Sequence, residues 1–198
     1  MNCKKVLGFS ATFMLAAVSG AEAHVGAGAV SGTMAGFIHP ISGLDHMLAM
    51  IAVGMLAAQQ GGKSLWFIPL AFVAMMLVGA AVGVAGVAVP FVEQGIVGSI
   101  VILGFVVALG RAMPMPLAMA MVGLFAVFHG HAHGTEMPVD VLGALYGFGF
   151  AIATVLLHVA GIGAAASVQK FARQVAPVWV RIGGGVIATL GMAMLAGA

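Results

Sequence analysis

Phe128-His129-Gly130-His131-Ala132-His133-Gly134-Thr135-Glu136 puts three imidazoles and a carboxylate into nine residues. It closes an apolar segment, 117–128, in a chain with few other polar side chains to offer. A second polar island, His39-Pro40-Ile41-Ser42-Gly43-Leu44-Asp45-His46, lies far upstream. The two islands share a pattern, since each follows an apolar segment and ends on an acidic residue or its neighbour. Apolar helices that bring them together would build a site for a metal ion.

Composition defines the setting. Of 198 residues, 63% are hydrophobic and 6% charged, with a mean hydropathy of +1.20. A soluble domain carries about 25% charged residues, so this chain reads as an integral membrane protein. The formal charge of +2 is too small to suggest nucleic acid as a partner. Thirty glycines suit close helix packing in lipid. No GxxxxGK[ST] loop occurs, so the chain carries no ATPase motor of its own and no ATPase subunit is evident as a partner.

Residues 1–23 have the layout of a cleavable signal peptide: Lys4 and Lys5, an apolar region over 6–18, and a small-x-small site at Ala21-Glu22-Ala23. An uncleaved anchor is the alternative. Cleavage would remove Cys3, the only cysteine, and leave 24–198 as one transmembrane domain beginning at His24. A free α-amino group beside an imidazole can chelate a divalent metal.

Apolar segments follow at 25–38, 44–58, 65–89, 95–110, 117–128, 139–167 and 178–198. Lipid forces backbone polar groups to pair within each segment, and period-2 alternation is absent. The expectation is an all-α polytopic bundle. Lys63, Arg111, Lys170, Arg173 and Arg181 fall in alternate connections, which the positive-inside rule places in the cytoplasm. The histidine islands and Glu93 then face the periplasm across a bacterial inner membrane. Six full spans from Ser42 onward satisfy these assignments. Segment 25–38 reaches only about 21 Å and reads as a half-inserted helix turning outward at His39-Pro40. Seven spans is the alternative.

Asp45 and His46 sit in the first turn of a helix that Ser42 could cap. A carboxylate at that depth needs a partner, and a metal ion or histidinium would serve. A helix-start carboxylate favoured by the macrodipole is the other reading. His129, His131 and His133 converge only in extended backbone, which predicts that the stretch leaves the helix at Gly130. Imidazole suits zinc, copper, iron and nickel, and carboxylate widens the choice. Downstream, Asp140, Gly147, Thr154 and His158 fall within about 40° of one helix face. They form a polar stripe on which His158 is an exit-side ligand, a proton acceptor or a histidine bonded to a carbonyl. Glu93 is a further candidate at the entrance. Gly79-x-x-x-Gly83 and Gly143-x-x-x-Gly147 read as packing motifs, and Trp66 and Trp179 as interface anchors.

The two islands resemble the signatures HPxxGxDH and FHGxAHGxE of the HupE/UreJ family of nickel permeases, at every fixed position. The resemblance implies uptake of nickel, sometimes cobalt, for hydrogenase or urease maturation. It implies roles in transport for His39, Asp45, His46, His129, His133 and Glu136, with His131 at a variable position. The residues alone specify a divalent-metal site in membrane helices, and nickel comes from the resemblance. The expectation is a permease, not an enzyme, with the ion as cargo, lipid as its surroundings and no organic cofactor. A haem would need histidine pairs at matching depth. An intramembrane metalloenzyme, with the metal activating water, is the alternative.

Overall fold

The computed structural model describes residues 32–135, 137, 143–172 and 174–197. The proposed signal segment, His24, Glu136, Asp140 and Arg173 lie outside them. The described residues form seven helices: α1 Gly32–Ser42, α2 Leu44–Gln60, α3 Ser64–Val84, α4 Val92–Leu109, α5 Met115–Thr135, α6 Gly143–Phe171 and α7 Ala176–Leu195. Helices α3 to α7 are each long and apolar enough to cross a bilayer, and α1 with α2 makes a sixth such unit bent by 80°. The architecture is the polytopic helical bundle expected, with the short first helix set at a steep angle to the second.

The bend is not at His39-Pro40. Helix α1 runs through Pro40 to Ser42, because proline accepts helical φ and forfeits one hydrogen bond. The chain turns at Gly43, whose backbone is extended (φ −83°, ψ 115°). Ser42 does not cap α2 but donates to the His39 carbonyl at 2.9 Å. Gly43 is the N-cap without a side-chain cap, and Asp45, inside the first turn, accepts the His46 N–H at 2.7 Å through Oδ1.

The interior is mostly apolar but holds the histidines, while large apolar side chains cover the outside. Buried side chains include His46, Ser99, His129, His131, His133, Thr154 and His158, whereas Trp66, Leu70, Phe105, Leu124, Phe148 and Trp179 are exposed. Lipid has no preference between one apolar surface and another, so association rests on close packing and polar contacts. Helix α5 lies on α3 by paired glycines. A Cβ on Gly130 would strike the Met76 carbonyl, one on Gly134 the Ala80 carbonyl, and one on Gly79 the Val127 carbonyl. Helix α2 meets α6 in the same way at Gly54 and Gly161, α1 meets α6 at Gly36 and Gly149, and α4 meets α7 at Gly104 and Gly184. Gly79 and Gly83 thus act as expected. Gly147 has open space beside it and Gly143 meets only a methionine side chain, so α6 packs through Gly149 and Gly161 instead.

The ends of the bundle differ in charge. Gln59 donates to the Val107 carbonyl, Gln60 to the Arg111 carbonyl, and Arg181 to the Ala108 carbonyl. These bonds gather the end of α2, the end of α4 and the start of α7, with Lys63, Arg111 and Arg181 exposed around them. The histidine islands lie at the other end, at the start of α2 and the end of α5. Gly130→Leu is expected to lower the thermal stability of the detergent-solubilised protein, by about 1–3 kcal/mol of overpacking. Gly163→Ala, which meets nothing within 4 Å, should leave the melting temperature unchanged. Equal melting temperatures for both variants would show that the α3–α5 seat does not limit stability.

Candidate metal site

Helix α5 does not break at Gly130. It continues to Thr135, because in lipid a helical backbone satisfies its own hydrogen bonds and the glycines serve as a packing face. At about 100° per residue, His129 and His133 lie one turn apart on one flank of that glycine face. His131 falls on the opposite flank. Its Nε2 lies 2.8 Å from the Val87 carbonyl, in the connection between α3 and α4. The extended-strand expectation is therefore wrong, and the helix selects two histidines of the three for the interior site.

On the His129–His133 flank the two islands meet. The His46 ring lies 4.5 Å from His129 and 4.2 Å from His133, centroid to centroid. His39 reaches the same group from α1, 4.7 Å from His133. His46 Nε2 and His133 Nε2 face each other at 2.5 Å. Four imidazoles from α1, α2 and α5 thus share one pocket, walled by Phe150 at 4.1 Å from His133 and by Phe72 at 5.8 Å from His129. Among the described residues, no three His, Cys, Asp or Glu side chains are disposed to hold a metal ion as they stand. The two Nε2 atoms occupy the space that an ion between them would need.

Hydrogen bonds orient two of the rings. Asp45 Oδ1 lies 3.1 Å from His46 Nδ1. A carboxylate accepts, so Nδ1 carries the hydrogen and the lone pair of Nε2 points into the cluster. This is how carboxylates orient metal-binding histidines elsewhere. Ser99 Oγ donates to the Ile96 carbonyl at 2.6 Å and lies 2.8 Å from His129 Nε2. With its hydrogen committed, the hydroxyl accepts from Nε2–H, and His129 Nδ1 keeps its lone pair. His129 Nδ1 and His133 Nδ1 have no hydrogen-bond partner among the described residues. Buried polar atoms are usually satisfied, so these two nitrogens stand out within the cluster.

The remaining candidates are placed as follows. Glu93 is exposed in the first turn of α4. Thr154 and His158 are buried on α6, next to Phe72 and Met76 instead of at an inner end. His158 packs on Phe72 at 5.2 Å and bonds to no carbonyl, since neither of its ring nitrogens has a partner among the described residues. Ser99, Phe72, Tyr146 and Phe150 escaped sequence reasoning. Two of them carried a signal: Ser99 is the single hydroxyl in 95–110, and Tyr146 the single tyrosine of the chain. Tyr146 lies 6.1 Å from His39, ring to ring.

A sequence model of the family described as HupE / UreJ protein matches residues 12–194. A relative described as Protein HupE, from Rhizobium leguminosarum bv. viciae, is 47% identical over 183 residues, covering 92% of this chain and 94% of that protein. No solved structure matches.

The tautomer of His129 is testable by nitrogen NMR of the ring-labelled residue. Nε2 should be the protonated nitrogen, with Nδ1 well resolved from it. Ser99→Ala should merge the two signals towards an exchange average and cost about 1 kcal/mol of stability. An unchanged His129 spectrum in that variant would mean the serine does not set the tautomer.

Proposed function

This chain belongs to the HupE/UreJ family, and from that membership and the buried cluster we propose that it is a secondary permease for a divalent transition-metal ion. Nickel is the principal cargo and cobalt the second, delivered for hydrogenase or urease maturation. The observation that supports this reading is the meeting of His39, His46, His129 and His133, with Asp45 behind them, inside an otherwise apolar bundle. Borderline divalent ions favour imidazole nitrogen.

The cationic end belongs in the cytoplasm by the positive-inside rule, so the histidine cluster opens to the periplasm of a bacterial inner membrane. The ion sheds water there and enters as His46 and His133 part. Asp45 holds His46 in its ligating tautomer and offsets part of the ion's charge. The family motif adds Glu136, which lies outside the described residues, as a further carboxylate for the ion. His131 serves the frame by tying α5 to the α3–α4 connection. Transport fits the family membership better than hydrolysis does.

Accumulation of labelled nickel in cells should fall at least roughly tenfold in Asp45→Ala and His129→Ala, while His131→Ala keeps most of it. Unchanged uptake in the first two variants at normal expression would sink the model. Cobalt in excess should compete with labelled nickel more effectively than manganese, which prefers oxygen ligands. Ligation needs neutral imidazole, so acidifying the medium should lower uptake, and a rate that rises on acidification would argue against histidine ligation.

A further inference from the structure

Beneath the cluster, α3 and α6 face each other in two rungs. In the upper rung the Thr154 hydroxyl lies 3.7 Å from Met76 Sδ. In the lower, the His158 ring stands edge-on to Phe72 at 5.2 Å and 83°. Thr154 and His158 are one turn apart on α6, as Phe72 and Met76 are on α3. Thr154, His158 and Phe72 are buried to within 1% of completely, and Met76 to within 2%. Both nitrogens of His158 lack a partner among the described residues.

An imidazole with neither nitrogen satisfied costs free energy at that depth. Core packing alone would be served better by leucine or phenylalanine. The His158 carbonyl and the Ile162 nitrogen lie against Gly54, which fixes this part of α6 against α2. The histidine is therefore held in place, not left over in a loose corner. Thioether sulfur, imidazole nitrogen and hydroxyl oxygen together suit a borderline or soft divalent ion that has lost most of its water.

Phe72 spans both levels. It lies 5.8 Å from His129 above and 5.2 Å from His158 below. Its ring contacts both levels, where an ion moving from His129 to His158 would meet it.

We propose that His158, Met76 and Thr154 form a second, inner station for the same divalent ion, and that the Phe72 ring closes the passage between it and the outer histidine cluster. This rests on the permease reading and adds to it a stepwise path with two halts. The outer cluster captures the ion. Rotation of Phe72 then exposes the unprotonated nitrogen of His158, and Met76 supplies a soft contact on the way.

The experiment uses purified full-length protein, titrated with Ni²⁺ in detergent and then reconstituted into proteoliposomes for Ni²⁺ uptake. His158→Gln and Met76→Leu should bind Ni²⁺ at the outer cluster with wild-type affinity yet transport it at least tenfold more slowly. Phe72→Leu should raise downhill Ni²⁺ efflux from preloaded vesicles severalfold. Met76→Leu conserves volume and removes only the sulfur, so it decides the matter if His158→Gln fails to fold. Wild-type uptake in both station variants would overturn the inner station and leave the outer cluster untouched. Unaltered efflux in Phe72→Leu would overturn the gate. The permease reading itself fails separately, on Asp45→Ala and His129→Ala in the same vesicles.

Discussion

The structure depends on how closely α5 lies against α3. Met76, Ala80 and Val127 present bare carbonyls to Gly130, Gly134 and Gly79, with no room for a methyl group between the backbones. That contact sets the rotation of α5 about its axis. Once Gly130 and Gly134 face α3, His129 and His133 must turn towards α2 and α4, and His131 must turn away. Three alternating histidines are thereby divided two to one by a stripe of small residues. The polar interior is a consequence of backbone packing.

The same contact explains why aromatic rings wall the site. With α3 drawn in, Phe72 and Met76 lie beneath the cluster, and α6 contributes Tyr146 and Phe150 from its first turns. Imidazoles enclosed by aromatic and thioether groups cannot borrow hydrogen bonds from water. Their orientation must come from inside the protein, through Asp45 for His46 and Ser99 for His129. The site is small and rigidly supported, but it is closed across the facing nitrogens of His46 and His133.

Much of this was legible in the sequence, for physical reasons. Composition alone required helices, and charge spacing separated the two ends. Ionisable residues in an apolar chain pointed to His39, Asp45, His46, His129 and His133 as one group. The error at Gly130 came from requiring all three histidines to converge, which only extended backbone allows. In lipid the backbone has no alternative partner, and glycine becomes a contact surface. Pro40 misled as well, since one lost hydrogen bond near a helix end is tolerated. Phe72, Met76 and Phe150 were hidden because an apolar residue in a span carries no mark of whether it faces lipid or a site. His158 was visible, yet helix length from Asp140 suggested an inner end, whereas contact with Phe72 puts it beneath the cluster.

The direction in which α2 and α5 run has an electrostatic consequence. Helix α2 begins two residues before His46, and α5 ends two residues after His133. A helix carries roughly half a positive charge at its start and half a negative charge at its end. The start of α2 therefore repels a dication, and the end of α5 attracts it. Asp45, in the first turn of α2, offsets the repulsive terminus where it is closest. What remains is the attraction of the α5 carbonyl end, a field fixed in the backbone that no side-chain substitution removes.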